Sequence, residues 1–307
     1  MKAVIIGGRG KVGSYLVPLL AKEGFSVINV SRGKTKPNVK DDVWEKVTQL
    51  NLDRKQPEFE AEIAKIKADV VFDMICFEND EIIRLINALR GSVSHYLVTG
   101  TIWVHGPSGV VPATEDECRE PMETYGIQKD LMEKTIVNEY KKHGFPGTII
   151  HPGHIVCPGD IPINPQGSKS LDAYKILKAG DPLYLPNFGL ETIHHVHAAD
   201  VAGIYMAALK TGKPSFGEGF HAVSPRAVTL QGFAKEVALW YGKKADIRFE
   251  PFEIWKKRVP SGESEETYSH ITHSPNLSMQ KAKDLLAFVP KYTSYEAIKE
   301  CLASFGL

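Results

Sequence analysis

Tyr125 and Lys129 stand four residues apart in a stretch that reads as helical, so they share one helix face. A phenol with a pKa near ~10 is a poor acid or base at neutral pH unless something favours its ionised form. A lysine ammonium on the same face does that by charge. The spacing Tyr-x-x-x-Lys recurs at Tyr174/Lys178 and Tyr295/Lys299, so position has to decide between the three. Only Tyr125/Lys129 follows a strand, at 95–99, whose carboxyl end also presents Thr99 and Thr101. The other two pairs read as surface or core helix positions.

The element that positions this chemistry lies at the other end of the sequence. An apolar run at 3–6 passes through Gly7, Gly8, Arg9, Gly10, Lys11, Val12 and Gly13 into an apolar-periodic segment, Val12, Leu16, Leu19 and Leu20. That is strand, tight turn, helix. Gly7, Gly10 and Gly13 satisfy GxxGxxG, and Gly8, Gly10 and Gly13 satisfy GxGxxG. Either spacing permits a tight turn, backbone approach to a pyrophosphate, and close helix–strand packing. The helix N-terminus then faces the phosphates. Among 26 glycines the spacing alone is weak; its place between a strand and a helix makes it a dinucleotide site.

A second strand at 25–30 ends in Ser31-Arg32-Gly33-Lys34-Thr35-Lys36, without the carboxylate that holds a ribose 2′-OH in NAD sites. Arg32 and the two lysines suit a 2′-phosphate, which favours NADP(H) with NAD as the alternative; a solvated basic turn is the plainer reading. Asp53, after a third strand at 47–52, is placed to meet the adenine.

Strands at 70–74, 95–99 and 147–150 alternate with helices at 60–67, 82–89 and 124–142, the last with Thr124 as its cap. The class is α/β: a doubly wound parallel Rossmann sheet with a smaller α/β C-terminal substrate cap. The dinucleotide-binding domain is expected at 1–157 with 192–224 returning to it. The cap is expected at 158–191 and 225–307. The acidic run Glu115-Asp116-Glu117 reads as a solvated loop face. The loop at 158–190 holds five prolines and a helical piece at 171–178, long enough to be functional. Beyond it come strands at 192–196, 220–223 and 247–249 and helices at 200–209, 230–241, 279–286 and 295–305.

The chain has 307 residues, 43% hydrophobic and 24% charged, with a formal net charge of zero, so no bulk field recruits nucleic acid. Four cysteines lack metal or disulfide spacing, and no run approaches a membrane span; a soluble cytoplasmic protein is expected. Cys76 and Cys157 border cofactor-facing loops without any sign of an activated thiolate. His194, His195 and His197 near Asp200 invite a metal reading, but no metal is expected. His194 and His195 suit the substrate pocket, and Asp200 a helix cap.

Taken in order, six segments resemble the extended short-chain dehydrogenase/reductase superfamily, the NAD-dependent epimerase/dehydratase-like proteins. They are the glycine loop; Tyr96-Leu-Val-Thr-Gly-Thr101 with Val104-His105-Gly106; Tyr125-Gly-Ile-Gln-Lys129; His151-Pro-Gly-His-Ile-Val-Cys-Pro158-Gly159; His197-Ala-Ala-Asp-Val-Ala202; and Pro290-Lys-Tyr292. The resemblance implies Thr101 hydrogen-bonding the reacting oxygen, Tyr125 as general acid/base, and Lys129 lowering its pKa and holding the nicotinamide ribose. It adds Pro152 and His154 to the cofactor-binding set. Ile102-Trp103 replaces the Asp-Glu pair of the dehydratases, which argues against 4,6-dehydration. His154 replaces an asparagine and Ile193 stands near a missing arginine, both diphosphate grips of the epimerases, and His151 replaces a further arginine. The leading reading is an NAD(P)-dependent oxidoreductase or epimerase acting on a sugar-like or polar small molecule; relatives often form a homodimer, and the sequence leaves the oligomeric state open. The alternative is a non-catalytic dinucleotide sensor or RNA-binding relative.

Overall fold

A computed structural model describes all 307 residues. The first half alternates strand and helix: β1 (Lys2–Ile6), α1 (Gly13–Lys22), β2 (Ser26–Ser31), β3 (Thr48–Asn51), α2 (Phe59–Lys65), β4 (Val70–Asp73), α3 (Asn79–Leu89), β5 (His95–Thr99), α4 (Thr124–His143) and β6 (Gly147–Pro152). β7 (His154–Val156), α5 (Asp172–Ala179), β8 (Leu183–Pro186), β9 (Thr192–Ile193), β10 (His195–His197), α6 (Ala198–Thr211) and β11 (Glu218–Ala222) follow. The chain ends with β12 (Val228–Thr229), α7 (Leu230–Trp240), β13 (Ile247–Glu250), α8 (Phe252–Trp255), α9 (Ser261–His273), α10 (Gln280–Leu286) and α11 (Ser294–Ala303).

Seven strands form one parallel sheet in the order β11-β6-β5-β4-β1-β2-β3. β4 and β6 are buried along their whole length and β1 all but its first residue, as a parallel sheet covered on both faces requires. Leu16, Val17 and Leu20 of α1 pack with Val201, Ile204 and Tyr205 of α6 on one face. Ile63, Ile82, Ile86, Met132 and Ile136 of α2, α3 and α4 cover the other. The strand order reverses between β1 and β4, which opens a crevice at their carboxyl ends. A separate apolar cluster joins α5, α7, α11 and β8, among them Tyr174, Leu185, Phe233 and Ile298.

Several expectations are corrected. Leu19 is exposed and the face of α1 is carried by Leu16, Val17 and Leu20. The strand expected at 192–196 breaks at His194, whose ring Nε2 donates to Ser224 O while its Nδ1 accepts from Leu277 N, so β9 and β10 join different partners. Thr124 is the first helical residue; Glu123 occupies the cap position, with no side-chain cap. His197, not Asp200, caps α6, by accepting from Ala199 N. Asp200 instead accepts from Lys291 N and Tyr292 N. Glu115 is buried, accepting from His221 N, rather than solvated. Residues expected in the cap also return to the dinucleotide side: Ala282 and Leu286 of α10 join the α1–α6 cluster, and Leu277 packs with Ile102 and Val223. α9 was not expected at all, because its buried face is made of Ser264, Thr267, His270, Ile271 and His273 and shows no apolar period.

Candidate active site

The glycine loop carries the turn from β1 into α1. Gly7 has φ +88°, a conformation open to glycine at little cost, and a Cβ on Gly13 would collide with the backbone of Gly8. Val12 stands at the cap of α1 with no side-chain bond; Ser14 N donates to Gly10 O, while the N–H groups of Lys11, Val12 and Gly13 have no partner. Beside this loop a cavity of about 380 Å³ is lined by Gly7, Arg9, Gly10, Ser31, Arg32, Gly33, Lys34 and Arg54. Arg32 is exposed and has no carboxylate partner. Two buried donors on Arg54, Nε and Nη1, and Nε of Arg9 have no hydrogen-bond partner in the protein. Asp53 is not part of this lining: its carboxylate turns back to accept from Lys55 N at 3.1 Å, and Leu52, Arg54 and Lys55 take the wall instead. Gly8, Val12 and Gly13 are likewise packing residues, outside both linings.

A second cavity, about 470 Å³, lies over the carboxyl ends of β4, β5 and β6, and Phe77 lines both. Thr99, Thr101, Tyr125, Lys129, Pro152, His154 and Lys11 all face it. Lys11 forms an ion pair with Asp160 of the long loop, which ties that loop to the start of α1. Thr101 ends β5's extension, its hydroxyl accepting from Trp103 N at 3.3 Å. Tyr125 lies in the first turn of α4, and Lys129 one turn on. Lys129 is buried, donating from Nζ to Cys76 O and Thr99 O, each at 2.6 Å, and its Nζ stands 5.7 Å from the Tyr125 ring centroid. Burial pulls the ammonium down to about 8, against the raising influence of Cys76 and Asp73. Burial raises the Tyr125 phenol above its ordinary value, and the neighbouring Thr101 hydroxyl offsets this only in part. Burial also pushes the Cys76 and Cys157 thiols up, away from thiolate chemistry.

Behind Thr101 lies a polar network with no signature in the sequence. His151 is fully buried; its Nδ1 lies 3.1 Å from Thr101 N and 3.0 Å from Thr101 O, and its Nε2–H donates to Glu133 Oε2 at 3.0 Å. Arg119 forks onto both oxygens of Glu133. Burial alone would raise the Glu133 carboxyl, but His151 and Arg119 outweigh it and hold it well below the usual carboxylate range. Tyr125, Lys129 and Glu133 thus run along one face of α4 at four-residue spacing.

The opposite wall comes from β7, β10 and α9: His154, His195, Glu266 and His270, with Trp103 at the floor. His194 stays in the interior. No group of three or more His, Cys, Asp or Glu side chains is arranged to hold a metal ion. No helix is long and apolar enough to cross a membrane. Tyr174 is a core residue whose hydroxyl donates to Ile163 O, and Tyr295 packs against Phe233 and Trp240.

Comparison with known proteins agrees with this architecture. The profile of the NAD dependent epimerase/dehydratase family matches residues 3–218. The chloroplast stem-loop binding protein of 41 kDa b from Arabidopsis thaliana is 26% identical over 313 residues, covering 97% of this chain and 78% of the relative. The 2′-dehydrokanamycin reductase of Streptomyces kanamyceticus is 25% identical over 227 residues, covering 73% of this chain and 62% of the reductase. Among solved structures, the UDP-glucose 4-epimerase of Thermotoga maritima with UDP-glucose superposes with a TM-score of 0.75 at 18% identity, covering 100% of this chain and 99% of the other. The dTDP-glucose 4,6-dehydratase of Bacillus anthracis in complex with NAD gives 0.74 at 17%, covering 100% and 96%. With a Rossmann sheet, its glycine turn and a family match across more than half its length, the chain belongs to the NAD-dependent epimerase/dehydratase family of extended short-chain dehydrogenases/reductases.

Proposed function

We propose that the protein is an NAD(P)-dependent oxidoreductase or epimerase that transfers hydride at a carbonyl or hydroxyl carbon of a sugar-like or polar small molecule. The observation that carries this reading is that Thr101, Tyr125 and Lys129 share one cavity, joined through Phe77 to the cavity beside the glycine loop. The residues fit a dinucleotide. Gly7 and Gly13 permit the turn, the N–H groups of Lys11, Val12 and Gly13 at the start of α1 are without partners and can meet a pyrophosphate, and Arg9 and Arg32 line the cavity beside them. Arg32 and Lys34, with no acid between Ser31 and Lys36, favour NADP(H) over NAD(H).

When bound, the nicotinamide ring would supply or accept the hydride. Tyr125 would give or take the proton at the substrate oxygen, and the Thr101 hydroxyl would hold that oxygen. Lys129 places a buried positive charge beside the phenol, which favours the phenolate as it forms. A phenol raised by burial keeps its proton at neutral pH, which suits delivery to a carbonyl oxygen. His151 and Glu133 act through the Thr101 backbone and position it.

The stem-loop binding of the chloroplast relative is not carried over: this chain has zero formal net charge, and its tyrosine, lysine and threonine face one cavity. The reading is tested by following absorbance at 340 nm with NADPH and with NADH across a panel of ketoses, sugar acids and nucleotide sugars. Substrate-dependent oxidation supports net reduction. Stoichiometric cofactor in the purified protein, with product but no net absorbance change, supports epimerisation. A protein that binds neither dinucleotide overturns the proposal.

A further inference from the structure

Cys76, Phe77 and Glu78 lie in the turn between β4 and α3, and the helices on either side hold its main chain. Cys76 O accepts from Lys129 Nζ at 2.6 Å, and Phe77 N donates to Glu81 Oε2 at 3.2 Å. At the start of α3, Asn79 N donates to Gln128 Oε1 at 2.9 Å. Glu81 belongs to α3, and Gln128 and Lys129 to α4, so both helices fix this turn.

From that fixed backbone the Phe77 ring projects into the middle of the crevice. Its centroid stands 5.0 Å from Lys129 Nζ and 6.4 Å from that of the Tyr125 ring, and the residue lines both cavities. Phe77 is 51% exposed, while Lys129 beside it is only 1% exposed. A phenylalanine elsewhere on the surface would need no account. This one is held over a buried charge, at the place where a ligand spanning the two cavities must pass. The ring attracts the ammonium through its quadrupole and keeps water from it. Loss of water is what pulls the ammonium down to about 8. The groups around that ammonium are Asp73 at the end of β4, Cys76 in the turn, Arg54 after β3, Glu81 on α3 and Tyr125 on α4. Glu81 takes only the main-chain N–H of Phe77, so a change of side chain at 77 leaves that bond in place.

The open part of the ring is an apolar plane next to Tyr125. The charged portions of a dinucleotide meet the glycine turn and Arg32 in the other cavity, and a flat ring is what packs on such a plane. We propose that the Phe77 ring seats the nicotinamide riboside of the dinucleotide and shields the Lys129 ammonium from water. The inference rests on the reading of Thr101, Tyr125 and Lys129 as the reacting centre and names the residue that aligns the cofactor with it.

Phe77→Ala tests both contacts, with Phe77→Tyr as the conservative variant. Fluorescence titration reads NADPH, and calorimetry reads adenosine 2′,5′-bisphosphate, which lacks the nicotinamide half. Phe77→Ala is expected to weaken NADPH binding about tenfold and to hold the bisphosphate within about twofold of the parent. Phe77→Tyr is expected to bind NADPH as the parent does. Equal losses for the two ligands, or no loss for either, overturn the proposal. The shield is read without cofactor, by trace labelling with acetic anhydride at a series of pH values and mass spectrometry of the peptide holding Lys129. In Phe77→Ala the limiting labelling rate is expected to rise about tenfold, with its midpoint moved up from about 8. Unchanged labelling of Lys129 in the folded variant overturns the proposal as well. A parent that binds neither ligand overturns the proposed function, and the labelling, which needs no cofactor, tells that failure apart.

Discussion

The two ends of the crevice use charge in opposite ways. At the glycine-loop end, Arg32 and Lys34 are exposed, and recognition rests on cations that remain in water. At the Tyr125 end, charge is buried and paired or removed. Lys129 is pulled down to about 8, Glu133 is clamped between His151 and Arg119, and the facing histidines are neutral. A solvated cation discriminates modestly and tolerates movement. A buried network fixes geometry and shifts proton affinities, at the risk of large losses when one member is removed. One end therefore suits holding a cofactor, and the other suits moving a proton.

That contrast is sharpened first by acid. His95, His105 and His195 are held near 3 and His194 near 4 by burial, below the ~6.5 of a free imidazole. As pH falls through ~6.5 the unfolded chain takes up these protons and the folded chain does not, so stability is full above that pH and is lost toward the folded values. The loss approaches about 1.4 kcal/mol per pH unit for each histidine. Urea unfolding at pH 7.5, 6 and 5 is expected to show the decline; a flat profile would place these rings in solvent. Next, Arg119→Met leaves Glu133 buried and short of its partner, and is expected to cost about 3–5 kcal/mol in the same assay. A loss of a few tenths would make this network no different from the open end. The smallest effect is at that open end: Arg32→Ala is expected to weaken NADPH binding about tenfold, or ~1.4 kcal/mol, with NADH unchanged. Fluorescence titration reads both, and equal losses would remove the 2′-phosphate assignment.

The same contrast explains what could be read from the sequence. The glycine turn and the basic turn are contiguous segments whose function depends on local backbone and residue type, so Gly7, Gly13 and Arg32 stand out in the chain. Tyr125 and Lys129 were legible because one helix holds both. His270 and Glu266 were not, since α9 buries small polar residues and histidines and so lacks an apolar stripe. The Arg119–Glu133–His151 relay joins a loop, a helix and a strand, and no spacing announces it. Asp53 lies outside the cavity lining because its carboxylate satisfies its own turn, a local alternative open to any aspartate there.

The central claim is that the crevice divides its labour, holding a dinucleotide along its length and moving a proton only at Tyr125. Tyr125→Phe separates the two. With a carbonyl compound that the parent enzyme reduces, the variant is expected to bind NADPH within about twofold of the parent and to turn over ~10²–10⁴-fold more slowly. Turnover at the parent rate with cofactor binding intact would contradict the account.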